Sequence, residues 1–397
     1  MKIALLWPNY WPYIRRGTER MVRDIGYHLA EQGHSVHVIT SKPGPSKIDH
    51  DGPLTIFKQS RMGHPLLAHY SQQMNRLVFY FDLQGIRALP HMLREEYDLI
   101  HSFMFVYYPA QKAAEKLRGT PTVYHIVTIP PHWGRRGEER LVRMSLDGNV
   151  PVRVFSKFCG DFMAAHYGVN AHVVPPTVDR VFFETRYKKD LSRPKILYTA
   201  DLTEPAKGPH VLAMAFNEVH RKVPNAVLSL AGPIGRTPVA VHHLLRLLSA
   251  EARNAVEVLG PGAVDSLPRL YAEAAVSVLP SLHEPFGMVL TESLASGTVV
   301  VGSRSGAIPE IITRPDVGLL FQRHADDDME SARNLSAALL NALDLAADPG
   351  TSDRCRDHAR NWTWDMQKEP FEALHRHSFA NKNTSRVAVQ SPNSSHD

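Results

Sequence analysis

A chain of 397 residues, 43% hydrophobic and 21% charged, has the composition of a globular protein in water and is long enough for two domains of about 150–200 residues. Its formal charge of only +5 is too dilute for nucleic-acid recognition, though it suits anionic small ligands or a weak attraction to a membrane surface. Two cysteines, Cys159 and Cys355, form no pairing framework, and the 22 histidines contain neither HExxH nor a tight His/Asp pair. These features point away from a disulfide scaffold or a bound metal and toward a reducing cytoplasm.

The N-terminal apolar run 3–6 is too short for a signal peptide and reads as a first buried strand. A Pro- and Gly-containing loop leads to Gly17. Met21, Val22, Ile25, Leu29 and Ala30 then fall on one helical face until Gly33, and 36–40 predicts the next strand. Strand, helix and strand within forty residues imply a right-handed βαβ unit in a parallel sheet. Further strands are expected at 54–58, 99–102, 122–126 and 152–155. The polar run 184–194 reads as a linker, after which the alternation restarts. It gives strands at 195–199, 226–231, 256–259, 276–279, 299–302 and 318–321, with a helix at 209–222. Two successive α/β units imply two doubly wound domains with a cleft between them. No apolar run approaches the roughly 18 residues of a membrane span. The Asn/Ser/Thr-rich 381–397 reads as a disordered tail.

One stretch carries the chemistry. His283-Glu284-Pro285-Phe286-Gly287-Met288-Val289-Leu290-Thr291-Glu292-Ser293-Leu294-Ala295-Ser296-Gly297 follows a buried strand and predicts a loop, then a helix beginning near Gly287. A helix start offers unpaired N–H groups and the positive dipole end, which suit a diphosphate. Gly287 lets the backbone come close, since no Cβ intervenes. Glu292, about one and a half turns inside, is placed to accept hydrogen bonds from both hydroxyls of a ribose. By itself such a pair of glutamates also fits a buried helix with one capping and one solvated carboxylate.

Glu284 and Glu292 form an E-x7-E motif that resembles that of glycosyltransferase family 4, retaining enzymes of the GT-B fold. The segments 306–312 (GAIPEII) and 318–321 (GLLF), and Leu267-Pro268-Arg269-Leu270-Tyr271 ahead of the 276–280 strand, match as well. In the N-terminal half, Gly17-Thr18-Glu19-Arg20 and Gly33-His34-Ser35-Val36 resemble the family's glycine loop, first helix and second strand. The resemblance spans roughly residues 1–380 and implies an α/β protein of two Rossmann-like domains facing across a cleft. The expected division is an acceptor-side domain at 1–188 with a returning helix at about 364–380, and a donor-binding domain at 189–363. It further implies that Glu284 meets the hydroxyls of the donor sugar, that the backbone of Phe286, Gly287, Met288 and Val289 meets sugar and phosphate, and that Glu292 meets the ribose. Gly17 would lie against the donor, Lys207 would pair with the diphosphate, and His125 would touch the sugar. No cofactor or metal is implied beyond the nucleotide-sugar donor and a hydroxyl-bearing acceptor.

Two departures stand out. Where the family usually has Gly-Arg-Leu, its arginine clamping the diphosphate, this chain has Ala200-Asp201-Leu202. Asp201 cannot donate to a phosphate. Either Lys207 or Arg236 substitutes, or the side chain is turned away. The usual Pro-Asn-Gly-Val-Asp is Pro175-Pro176-Thr177-Val178-Asp179, a stiffer turn with one N–H fewer. On the acceptor side, Trp133 with Arg135, Arg136 and Arg140 offers either a sugar-stacking platform or a solvated basic loop. The His-, Tyr-, Met- and Phe-rich 59–93 reads as an acceptor-covering insertion or a packed helix pair. The function expected is retaining transfer of a hexose or modified hexose from an NDP-sugar to a hydroxyl of a small-molecule, glycoside or lipid-linked acceptor. An NDP-sugar epimerase and a non-catalytic sugar-nucleotide-binding relative are the rivals, Asp201 favouring the second.

Overall fold

The computed structural model describes residues 1–10, 17–42, 45–60, 84–103, 108–128, 143, 146, 150–232, 239–260 and 265–389. The loop 132–140, most of the 59–93 stretch, and Arg236 therefore lie outside the described residues. The chain divides into two units, one of Met1–Phe155, Cys159–Val174 and Gln367–Asp397, the other of Ser156–Phe158 and Pro175–Met366.

The first unit holds eight strands: β1 (Lys2–Leu6), β2 (Ser35–Lys42), β3 (Lys47–Asp51), β4 (Leu54–Ser60), β5 (Leu99–Phe103), β6 (Thr122–His125), β7 (Val152–Val154) and β8 (His172–Val173). They lie in the order β3-β4-β2-β1-β5-β6-β7-β8, parallel except for β3 against β4. Each expected strand of this half is present. Strands β3 and β8 were not expected, because the sequence KIDHD of β3 carries the charge pattern of an exposed edge and β8 is two residues long. The central strands are buried along their whole length, as parallel strands covered on both faces must be.

The second unit holds β9 (Lys195–Tyr198), β10 (Val227–Leu230), β11 (Val256–Val258), β12 (Val276–Leu279), β13 (Val299–Ser303) and β14 (Gly318–Phe321), all parallel in the order β11-β10-β9-β12-β13-β14. Counted within the unit this is the doubly wound order 3-2-1-4-5-6. Its strand order reverses between β9 and β12, and ligands of such sheets bind beyond the carboxyl ends of the strands at that point.

The boundary falls after Val174, not after residue 188. The segment in between is folded onto the second unit. Asp179 caps the short helix Arg180–Glu184 by accepting from the Val181 N–H at 2.9 Å. The turn delivers Phe182 against the Tyr271 ring, 5.9 Å between centroids. The stretch that reads as a linker is anchored too, since Lys189 Nζ donates to the Gly297 carbonyl at 2.6 Å. The final helix spans Trp364–Val389. Phe371 and Leu374 are buried, and the Ser378 hydroxyl donates to the Thr122 carbonyl at 2.9 Å, within the first unit. Residues 381–389, expected in a disordered tail, continue this helix. No Gly or Pro interrupts the chain from Phe371 to Gln390, and a polar composition without a breaker still supports main-chain hydrogen bonds.

Candidate active site

At the reversal point of the second sheet, the loop leaving β9 and the loop leaving β12 are laced together. The first ends in a 3-10 turn, Pro205–Lys207, followed by Gly208 at φ 73. A Cβ at Gly208 would stand 2.2 Å from the Pro280 carbonyl oxygen, so only glycine lets the loops approach this closely. The Ala206 carbonyl accepts from the Leu282 N–H at 2.8 Å and from buried Arg323, which also holds the Pro280 carbonyl. This lacing brings Lys207 Nζ to 2.9 Å from Glu284 Oε2. Burial by itself would pull the Lys207 ammonium down. The charge of Glu284, the hydrogen bond to it and the neighbouring Glu204 and Asp201 outweigh that and hold it above its ordinary value. Lys207 is therefore charged at neutral pH, with two N–H bonds left beyond the one given to Glu284.

Glu284 is fixed from its other side. The Ala307 N–H donates to the Glu284 carbonyl at 2.9 Å. Gly306, at φ 59, passes so near that a Cβ would lie 2.3 Å from that carbonyl oxygen. The GAIPEII segment noted in the sequence thus clamps the first glutamate of the motif, a role its composition alone does not disclose. Gly287, at φ 107, caps the helix Met288–Ala295 without a side-chain partner. Phe286 turns its ring inward toward Trp362, 6.5 Å between centroids. Met288 and Val289, in the first turn, are half-buried. Glu292 lies inside the helix, 3% exposed, and accepts from the Tyr271 hydroxyl at 3.3 Å.

Asp201 caps its own turn. Its Oδ1 accepts the Thr203 N–H at 2.9 Å and the Thr203 hydroxyl at 2.6 Å. That oxygen is thus engaged within the loop that carries Lys207. Among the described residues no group of three or more His, Cys, Asp or Glu side chains is gathered to hold a metal.

In the first unit, Gly17 opens the helix Gly17–Glu31 beyond the carboxyl end of β1, beside the sheet's own reversal between β1 and β5. His125, expected to touch a sugar, is buried in the sheet. It pairs across the strands with Phe103 and Arg153, and its ring is fully buried, stacked on Phe103 with centroids 4.2 Å apart. Its Nε2 meets His101 Nδ1 at 2.8 Å and its Nδ1 meets Arg153 at 3.4 Å. His101 in turn meets His375 of the final helix at 3.1 Å. Both ring nitrogens of His125 are thus engaged within the sheet. All three histidines are pushed down from the ordinary value, by burial first; His375 and Arg153 then act on His101, His101, Arg153 and His375 on His125, and His34 and Arg376 on His375.

Models of known families match both halves of the chain. One described as Glycosyltransferase Family 4 covers residues 15–182, and one described as Glycosyl transferases group 1 covers 193–341. D-inositol 3-phosphate glycosyltransferase of Paenarthrobacter aurescens is 26% identical over 80% of this chain and 83% of that protein. The enzyme of the same name from Salinispora tropica is 30% identical over 71% of this chain and 63% of its own length. Sucrose-phosphate synthase from Thermosynechococcus elongatus superposes with a TM-score of 0.77 at 20% identity, covering 96% of this chain and 99% of that one. Anabaena HepE, solved with UDP and glucose, does so with 0.70 at 17%, covering 94% and 99%. The family's two halves follow one another along this chain in the expected order, each on its own doubly wound sheet. The chain belongs to glycosyltransferase family 4 and is a glycosyltransferase of the GT-B fold.

Proposed function

We propose that the protein moves a hexose or modified hexose, with retention at the anomeric carbon, from an NDP-sugar to a hydroxyl group. The observation that carries this reading is the Lys207–Glu284 pair beside the Gly287-led helix, at the reversal point of the second sheet. The helix start and Lys207 receive the diphosphate, Glu284 the sugar hydroxyls and Glu292 the ribose. In the reaction the bond from the anomeric carbon to the donor phosphate oxygen breaks and a bond to the acceptor oxygen forms. The acceptor's proton passes to the departing phosphate oxygen. Lys207 opposes the negative charge growing on the leaving group, where a preorganised cation acts most strongly. That charge and the helix start stand in for a divalent metal. His125 is assigned no contact with substrate here, since its ring nitrogens are occupied.

The acceptor named for the curated relatives, D-inositol 3-phosphate, supports testing phosphorylated polyols and sugars first. Buried thiols at Cys159 and Cys355 suit a reducing compartment such as the cytoplasm, and no helix among the described residues is long and apolar enough to cross a membrane. The test is NDP release and product formation from UDP-, GDP- and ADP-sugars with a panel of such acceptors, with and without chelator, the anomeric configuration being read by NMR. Transfer with retention, unaffected by chelator, is the expected result. Epimerised donor in the absence of acceptor, binding without turnover, or strict dependence on a divalent ion would each overturn it.

A further inference from the structure

Tyr271 has no assigned part in the reaction, yet its fully buried hydroxyl joins three elements. It lies 3.3 Å from Glu292 Oε2 on the helix Met288–Ala295 and 2.9 Å from the Thr199 hydroxyl just beyond β9. The direction of the chain follows from chemistry. A carboxylate only accepts, so the Tyr271 hydroxyl donates to Glu292, and its oxygen takes the proton offered by Thr199. Tyr271 is itself fixed, because its carbonyl accepts from the Thr298 hydroxyl and its ring packs on Phe182. Glutamate has three side-chain torsions and tyrosine two, so a rigid phenol orders a carboxylate that would otherwise lose freedom on binding. We propose that Tyr271, supported by Thr199, is a positioning residue for nucleotide recognition, holding Glu292 in the orientation from which it accepts the ribose hydroxyls.

The proposal rests on the reading of Glu292 as the ribose partner, and the experiment separates the two. Calorimetry gives the affinity of the full-length protein for UDP, GDP and ADP, and then for the 2′-deoxy and 3′-deoxy forms of whichever binds. Wild type should prefer the ribonucleotide. Tyr271→Phe should weaken ribonucleotide binding by about five- to tenfold, the loss of one hydrogen bond of ordinary strength, and leave the deoxynucleotides nearly unchanged, so that the preference collapses. A tyrosine that merely fills the core would shift ribo- and deoxynucleotide binding together and keep their ratio. Thr199→Val should lower the same ratio by a smaller factor and Thr199→Ser should restore it, which keeps the test open if Tyr271→Phe fails to fold. A wild-type preference that survives intact in Tyr271→Phe, or in Thr199→Val where only that variant folds, overturns the inference alone. Equal binding of ribo- and deoxynucleotides by wild type overturns the Glu292 reading and this inference with it.

Discussion

Removing Lys207 should damage stability and turnover together, but the two losses should part company in a double variant. In Lys207→Ala the Glu284 carboxylate, 8% exposed, loses the ammonium 2.9 Å away. Breaking a fully buried pair costs about 3–5 kcal/mol. The Lys207 side chain keeps 20% exposure, so water reaches the vacated space and a loss of about 1–3 kcal/mol is expected. For a domain of this size that lowers Tm by roughly 2–4 °C per kcal/mol. Because the folded pKa of Lys207 is raised, its contribution is complete below the unfolded value near 10.4 and fades only as pH rises through the higher folded value. The destabilisation should therefore be level between pH 7 and 9. Turnover should fall by about 10²–10³, the usual loss when a preorganised partner of developing charge is deleted. Adding Glu284→Gln removes the stranded charge, so the double variant should regain part of the lost Tm while turnover stays at the floor. Thermal unfolding and NDP release from the same preparations measure both. A Lys207→Ala enzyme with wild-type Tm and turnover, or a double variant that recovers activity, would refute the reasoning.

Three other outcomes follow from the same geometry. Gly306→Ala places a methyl group 2.3 Å from the Glu284 carbonyl oxygen at a φ of 59 and should cut turnover more than tenfold (about 1.4 kcal/mol) with a smaller effect on nucleotide affinity; equal kinetics in the variant would show that the clamp does not matter. Glu292→Gln should weaken nucleotide binding by about 1.5–3 kcal/mol, read by calorimetry, and unchanged affinity would sink the assignment. Acid should loosen the first unit while neutral pH leaves it intact. His101, His125 and His375 are neutral when folded, His375 being pushed down to about 4. The unfolded chain takes up their protons first as pH falls below about 6.5, and each then subtracts up to about 1.4 kcal/mol per pH unit until its folded value is reached. Denaturant titrations from pH 7 to 4.5 should show this slope, and His375→Gln should flatten it by about one proton's worth; an identical slope in the variant would contradict the chain of imidazoles.

The fold was legible because buried parallel strands announce themselves. Runs such as those of β12 and β13, entirely apolar or small, read as strands without any tertiary knowledge, and the helix Pro209–Lys222 begins and ends where its proline and its basic last turn place it. The loop and helix of the E-x7-E motif were legible for a related reason, since Glu284, Gly287 and Glu292 sit in one short stretch whose spacing is itself the signal. What escaped the sequence depends on partners distant in the chain. Gly306 matters through Glu284, Tyr271 through Thr199 and Glu292, and none of these pairings has a spacing that a reader could recognise. The segment 175–188 reads in the sequence as the end of one domain, because its last residues open a polar run. Its attachment depends on Phe182 finding Tyr271 and Val178 finding Trp362, contacts with no local mark.

His125 shows where a position and a role separate. It stands at a strand end, as expected, but the strands on either side carry Phe103 and Arg153, and two residues before Phe103 comes His101. Residues two apart on a strand share a face, so one face of β5, β6 and β7 gathers two imidazoles, an aromatic ring and a guanidinium in a buried sheet. The signal was present as a breach of pattern: LIHSF, TVYH and VRV each interrupt an apolar run with a polar group, and a buried polar group needs a partner. Asp201 resolves by the same reasoning. An acidic residue where a phosphate clamp is expected looked like a defect in the donor site. Its Oδ1 instead accepts from Thr203 in the turn that presents Lys207. The cation lost at one position and the cation held 2.9 Å from Glu284 are thus parts of one loop. With no arginine at the start of that loop, the proposed function makes Lys207 the cation among the described residues of that loop that faces the donor's negative charge, alongside the main chain at Gly287.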